Sequence, residues 1–169
     1  GSWRASSTRS SSRARRAPLR SSATSWAPPS PGLASEAASR AYALRSSVSE
    51  RESLYITQHY RRLVEGDIDG AIETLQVWKR LFPRDYIPWN NLAALYQSQG
   101  RYAEAEPLYK RSLGIAEKAF GPDHPLVAHM TANLGAFLKS EGRIDEAAPL
   151  LRRALDAAQK ALGSEHPQV

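Results

Sequence analysis

The feature that most constrains this chain is an internal repeat. Residues 89–127 align without gaps on residues 131–169, a shift of 42 positions, and 19 of the 39 aligned pairs are identical. A shift of 34 positions brings residues 66–71 (GDIDGA) onto residues 100–105 (GRYAEA). Periods of this length are typical of short supersecondary units that stack in a line. The chain is therefore expected to be an array of similar units.

Each unit has the apolar periodicity of helices. Apolar residues recur every three or four positions along residues 68–78, and no segment has the pattern of a strand. Ser47 and Ser49 are alternative N-caps for one helix, Gly66 is expected to end it, and Asp67 to begin the next. We predict an all-α fold with a helix over about 34–45, units over about 50–83, 86–122 and 125–163, and the start of a further unit at 164–169.

The first 32 residues differ from the rest in composition. Six of the 23 Lys and Arg residues and none of the 17 acidic residues lie in 1–32, so residues 33–169 carry 17 of each charge. Three large apolar side chains, Trp3, Leu19 and Trp26, are too few to form a core. We predict a disordered tail over 1–32. An organelle transit peptide, a weak anionic-surface binder and sequence foreign to this domain remain alternatives.

Several classes of function are disfavoured by composition. The chain has no cysteine, and no apolar run reaches the roughly 18 residues of a membrane span. None of the four histidines has a serine and a carboxylate at a catalytic spacing. We predict no enzyme activity, no cofactor, no metal and no membrane contact, in a cytoplasmic protein. The neutral balance of 33–169 makes a nucleic-acid partner unlikely.

The repeated pentapeptides GPDHP (121–125) and GSEHP (163–167) resemble half of a metal site, but their positions favour a linker. A glycine suits the end of a helix, and a proline suits the first turn of the next one. His124 and His166 fall in successive units, whose helices are roughly 8–10 Å apart. Ligands of one zinc ion lie within about 2.1 Å of it, so a shared metal is not expected.

The pattern of conserved positions inside the repeat resembles the tetratricopeptide repeat (TPR) family, and the 42-residue units are similar to those of kinesin light chains and of bacterial signalling scaffolds. The segments that carry the resemblance are WNNLAALYQSQGRYAEAEPLY (89–109) and its equivalent from Thr131. The family implies antiparallel helix pairs stacked as a right-handed solenoid. Ala93 and Gly135 are then small because two helices cross there. Gln58 and His59 depart from the pattern, so the first helix is expected to be rotated or offset.

In this family the first helix of each unit lines a concave groove, which implies where a ligand binds. Asn91 and Asn133 stand one unit apart, and their amides match the donor and acceptor of an extended peptide backbone. The alternative is that each asparagine bonds a neighbouring helix and only stabilises stacking. Tyr60 and Val64 are further groove candidates from the first unit. The predicted groove residues are Asn90, Asn91, Ala94, Gln97, Ser98, His129, Ala132, Asn133, Ala136, Lys139 and Ser140.

Two functions therefore remain open. The first is a scaffold that binds a peptide or partner helix in the groove. The second is a regulatory or oligomerisation segment of a larger bacterial signalling protein, because residues 38–60 (ASRAYALRSSVSERESLYITQHY) resemble the TPR tails of bacterial serine/threonine kinases. Self-association through an uncapped C-terminal end would suit the second function.

Overall fold

A computed structural model describes the backbone of residues 31–165 and the side chains of residues 32–160. Within these residues the chain is helical and contains no strand. A 3₁₀ turn at Arg45–Ser47 joins the first two helices, and a π-helical turn at Arg61–Glu65 follows the second. The helices are α1 (Pro31–Ala43), α2 (Glu50–Tyr60), α3 (Ile68–Leu81), α4 (Tyr86–Ser98), α5 (Tyr102–Phe120), α6 (Pro125–Ser140) and α7 (Ile144–Glu165).

The helix ends follow the local sequence signals. Ser49 caps α2 in a capping box with Glu52, so the choice between Ser47 and Ser49 is settled in favour of Ser49. Gly66 adopts a left-handed conformation (φ 67°), and the side chain of Asp67 then accepts from Gly70 N–H at the start of α3. Residues 1–30 of the predicted tail lie outside the described residues. The first helix begins at Pro31, three residues before the predicted start.

The repeats form antiparallel helix pairs, α4 with α5 and α6 with α7, and α6 packs on α5 to stack the two pairs. Ala93 and Ala105 are fully buried where α4 crosses α5. At Gly135, a Cβ atom would lie 2.9 Å from the Leu151 side chain, so a larger residue there would force Leu151 to move where α6 crosses α7. The predicted all-α repeat architecture is confirmed, and its core runs continuously from α3 to α7.

The irregular first unit has a physical cause. The N–H of Gly66 donates to Arg61 O five residues earlier, which is the hydrogen bond of a π-helix. A π turn holds one residue more than an α turn, so the end of this helix departs from the regular repeat. Upstream of the turn, Gln58 is as buried as its repeat equivalent Leu92, each 1% exposed, so the expected rotation of the helix is not seen at this position. The Gln58 side chain contacts His59 Nδ1.

The linker between units has its glycine and proline where they were predicted, but the residue that caps the next helix was not predicted. Gly121 ends α5 and Pro125 opens α6 as expected, but the side chain that caps α6 belongs to His124, whose Nδ1 accepts from Leu126 N–H at 3.1 Å. In the last unit α7 continues through Gly163 to Glu165, beyond the predicted helix end. His166 and Pro167 lie outside the described residues. None of the helices described is long and apolar enough to cross a membrane.

Candidate functional site

The first helices of the units bring part of the predicted groove together. A cavity of about 540 Å³ lies between α2 and α4. From α4 it is lined by Asn91, Ala94 and Ser98, all of which the sequence predicted. From α2 and the π turn it is lined by Gln58, His59 and Arg62, which the sequence analysis did not identify. We call this cavity the α2–α4 pocket.

Tyr60 and Val64, the groove candidates from the first unit, do not line the α2–α4 pocket. The ring of Tyr60 stacks on the ring of Tyr42 in α1, with centroids 3.9 Å apart and planes within 5°. Tyr60 therefore fastens α1 to the array, and Val64 is absent from the pocket lining. His59 and Arg62 line the pocket instead.

The asparagines are partly engaged with each other. Asn133 Nδ2 donates to Asn90 Oδ1 at 2.9 Å, which joins α6 to α4, and Asn90 Nδ2 donates to Asn91 Oδ1 at 3.4 Å. Among the described residues, Asn91 Nδ2 and Asn133 Oδ1 have no hydrogen-bond partner. Asn133 thus contributes to the stacking of α6 on α4, whereas the bond of Asn91 lies within α4. One donor, on Asn91, and one acceptor, on Asn133, stay available to a ligand.

A second polar link joins the two helices near their C-terminal ends. Gln97 Nε2 donates to Ser140 Oγ at 3.2 Å, and Tyr109 OH donates to Gln97 Oε1 at 2.8 Å. Burial raises the pKa of Tyr109 to about 12, so this hydroxyl remains a donor at neutral pH. The links at Asn90 and Gln97 lie two helical turns apart, and they fix the spacing of α4 and α6.

The remaining predicted residues divide between two surfaces. Ala136 and Lys139 are exposed on α6. His129 and Ala132 instead line a cavity of about 370 Å³ between α6 and α7, at the C-terminal end of the stack. The other side chains there are nearly all apolar, and they include Leu151 and Leu155. The structure therefore places His129 and Ala132 apart from the α2–α4 pocket.

The electrostatics of the α2–α4 pocket are set by His59 and Arg62. Burial, and secondarily the charge of Arg62, lower the pKa of His59, so the imidazole is neutral at pH 7. The Tyr55 ring lies against the imidazole with centroids 4.5 Å apart. The pocket therefore presents one positive charge at Arg62, together with the amide of Asn91 and the hydroxyl of Ser98.

Two further polar residues position the helices that carry the pocket, and the sequence analysis missed both roles. The Asp85 side chain caps α4 through Ile87 N–H, and its Oδ2 accepts from Trp78 Nε1 at 3.1 Å and from Arg51 Nε at 2.5 Å. Asp85 thereby ties α2, α3 and α4 together.

Glu106 lies near the start of α5. It forms ion pairs of 2.7 Å with Lys110 and with Arg143 of the next unit. Those hydrogen bonds lower the pKa of Glu106. No group of three or more potential metal ligands occurs within the described residues.

Comparison with known proteins agrees with this geometry. The family model described as tetratricopeptide repeat matches residues 86–160. The crystal structure of the protein MamA aligns with a TM-score of 0.55 at 22% identity, over 82% of this chain and 70% of that one. No curated protein sequence matches this chain significantly.

Two other solved structures are similar to the same extent. Nearly identical TPR-like repeats assigned to a kinesin light chain of Podosopora anserina align with a TM-score of 0.56 at 22% identity, over 81% of this chain and 71% of that one. BtubC (BKLC) from P. vanneervenii aligns with a TM-score of 0.57 at 21% identity, over 82% of this chain and 60% of that one. At these identities the likeness concerns the fold alone.

Proposed function

Because residues 86–160 are tetratricopeptide repeats, a fold that generally serves as a protein–protein interaction scaffold, we propose that this chain binds an extended peptide of a partner protein along the faces of α4 and α6. The observation that carries the proposal is the convergence of Asn91, Ala94 and Ser98 on the α2–α4 pocket. Its volume of about 540 Å³ is in the range of ligand sites.

The chemistry of the pocket and of the neighbouring face of α6 suits a peptide backbone. Asn91 Nδ2 offers a donor, Asn133 Oδ1 offers an acceptor, and an extended peptide presents both kinds of group along its length. The small side chain of Ala94 leaves the backbone room to approach α4. Arg62 at the edge of the pocket favours a carboxylate at one end of the bound segment.

A display selection with a random peptide library on the full chain tests this proposal. The same selection is run on Asn91→Ala with Asn133→Ala, and on Asn90→Ala. Peptides that bind the parent chain are expected to lose at least tenfold in affinity on the double variant. Removing Asn90 breaks a link between helices, so that variant should lose about 1 kcal/mol of stability and keep its peptides.

Equal binding by the double variant and the parent chain would overturn the backbone-clamping role. In that case Asn133 acts in stacking through its hydrogen bond to Asn90, and neither Asn91 nor Asn133 holds the peptide. Circular dichroism and thermal unfolding of each variant separate a loss of binding from a loss of fold.

A second candidate function is assembly, and the surface between α6 and α7 favours it. Leu155 is 57% exposed there, whereas its repeat equivalent Leu113 is 8% exposed because α6 covers it. A second chain that covered Leu155 would bury the kind of apolar surface that α6 buries at Leu113. Sedimentation of the full chain over a range of concentrations, with Leu155→Glu as the comparison, tests this function. A parent chain that stays monomeric at high concentration would contradict it.

A further inference from the structure

A second surface lies on α5, next to the loop between α3 and α4. A cavity of about 630 Å³ is formed there by α5 and the loop between α3 and α4. Four basic residues and no acidic residue line it. Lys110 is paired with Glu106, but no carboxylate within the described residues pairs with the other three. The basic residues are Arg84, Lys110, Arg111 and Lys118.

The basic residues are held in place by the fold. Arg111 and Lys118 are seven positions apart on α5, and so they lie two turns apart on one face of the helix. The Arg111 guanidinium carbon lies 5.7 Å from the centre of the Trp89 ring, a contact that orients this charge. Gly114 stands between them, and a Cβ atom built there meets no atom within 4 Å. The centre of the cavity is therefore open.

A second cavity of about 460 Å³ adjoins the basic one, and the two share Pro83, Arg84 and Ala119. Its other side chains are mostly apolar, and its one carboxylate, Asp85, is paired with Arg51. Leu81 and Phe120 line it, and they are 50% and 44% exposed. The Phe120 ring is held between Tyr86, at a centroid distance of 6.0 Å, and His124, at 4.8 Å. A fixed aromatic ring beside a cluster of cations forms one continuous surface, which we call the α3–α5 surface.

The following unit shows that this chemistry is specific to one position in the array. The equivalent cavity on α7 keeps Arg153 and Lys160, the counterparts of Arg111 and Lys118. It has Asp156 where the first cavity has Gly114, and Asp123 also lines it. Arg153 is in addition paired with Glu117 at 2.8 Å. The two cavities thus share three basic positions on their helices, but two aspartates line the second cavity and no acidic residue lines the first.

We propose that the α3–α5 surface is a second docking site, for an acidic segment of a partner protein that also carries a bulky apolar side chain. Its carboxylates would meet Arg84, Arg111 and Lys118, and its apolar side chain would enter the cavity beside Phe120. This site lies outside the α2–α4 pocket, so the chain would engage two segments at once.

The observations favour a peptide over a nucleic acid. A nucleic acid presents a long run of phosphates and requires a basic stripe or patch of matching extent. Residues 33–169 are electrically balanced, with 17 basic and 17 acidic residues, and the basic cluster is confined to one cavity. The apolar residues Leu81 and Phe120 would gain nothing from a sugar–phosphate backbone, whereas they suit an aliphatic or aromatic side chain.

A random peptide library displayed on phage and selected on the full chain tests the proposal. We expect an acidic class of peptides that binds the parent chain and loses at least tenfold in affinity on Gly114→Asp. That substitution places in α5 the residue that α7 already carries, and the open space at Gly114 accepts its side chain without a clash. Arg84→Glu, in the loop, should have the same effect, and raised salt should weaken binding.

Gln159→Glu on α7 is the matched control, because it adds the same charge to an exposed position one unit away. It should retain the acidic peptides. Peptides of this class should also survive Asn91→Ala, which separates this site from the groove.

The proposal is overturned if no acidic class is selected, or if that class binds Gly114→Asp as well as it binds the parent chain. Binding at this surface by a single-stranded oligonucleotide probe, with no acidic peptide selected, would overturn it as well.

Discussion

Leu113 and Leu155 occupy the same position in successive repeats, and the structure predicts very different consequences when each is replaced by alanine. Leu113 on α5 is 8% exposed, and Leu155 on α7 is 57% exposed. Leucine and alanine are both strong helix formers, so the change in backbone propensity is small and equal at the two sites. A difference between the variants therefore measures packing.

The expected magnitudes follow from burial. Each carbon that alanine lacks is worth about 0.8 kcal/mol when fully buried, which gives about 2 kcal/mol at Leu113, and the cavity left behind adds about 1 kcal/mol. More than half of the Leu155 side chain is already in water, and the remainder borders open space. We expect Leu113→Ala to lower the free energy of unfolding by about 3 kcal/mol, and Leu155→Ala by about 1 kcal/mol or less.

Urea unfolding of the full chain, followed by circular dichroism and tryptophan fluorescence, measures both values. Coincident transitions by the two probes establish that one free energy describes the unfolding. Equal losses for the two variants, independent of protein concentration, would refute the reasoning. A cost at Leu155 that grows with protein concentration would instead show that a second chain covers the α6–α7 surface, as the assembly function requires.

Three further perturbations test the contacts that position the site. Asp85→Ala removes the α4 cap and the acceptor for Trp78 and Arg51, and should lower the free energy of unfolding in urea by about 3 kcal/mol. Asp85→Asn keeps the cap and should lower it by less than half of that. Because the pKa of His59 is lowered in the fold, the unfolded chain takes up the proton first as pH falls. Stability should therefore decline below about pH 6.5, and in thermal unfolding measured over a range of pH His59→Leu should reduce that decline. The pKa of Tyr109 is raised to about 12, so this tyrosine should ionise last in an absorbance titration. Because the unfolded chain ionises first, stability should decline as pH rises above about 10. A Tyr109→Phe chain that still shows the late ionisation step would contradict this assignment.

The order of the helices could be predicted from the sequence because the signals that set it are local. Ser49 and Asp67 cap helices through bonds to residues three positions away, and Gly66 takes a backbone conformation that its own lack of a side chain permits. The crossing at Gly135 was also predictable, since a small residue recurs at that position of the repeat. Bonds and conformations within one turn need no knowledge of the rest of the chain.

The candidate site was predictable only in part. The resemblance to the TPR family implied that Asn91, Ala94 and Ser98 lie on the inner side of α4, and all three line the pocket. The other wall was not predicted, because Gln58, His59 and Arg62 line it, whereas Tyr60 stacks on Tyr42 of α1. Which side chains of α2 face the pocket depends on how α1 and α4 pack on it, and the sequence of α2 alone does not specify that packing.

The sequence by itself therefore determined that the chain is a stack of helix pairs, where most helices begin and end, and which face of α4 looks inward. Only the tertiary structure decided that Asp85 joins three helices and that Asn133 bonds Asn90. It also decided that Gly114 leaves a basic cavity open on α5, whereas Asp156 lines the equivalent cavity on α7. The physical reason is range. Periodicity and capping act within a few residues, whereas these contacts join residues up to 43 positions apart, and their partners are chosen by the packing of one unit on the next.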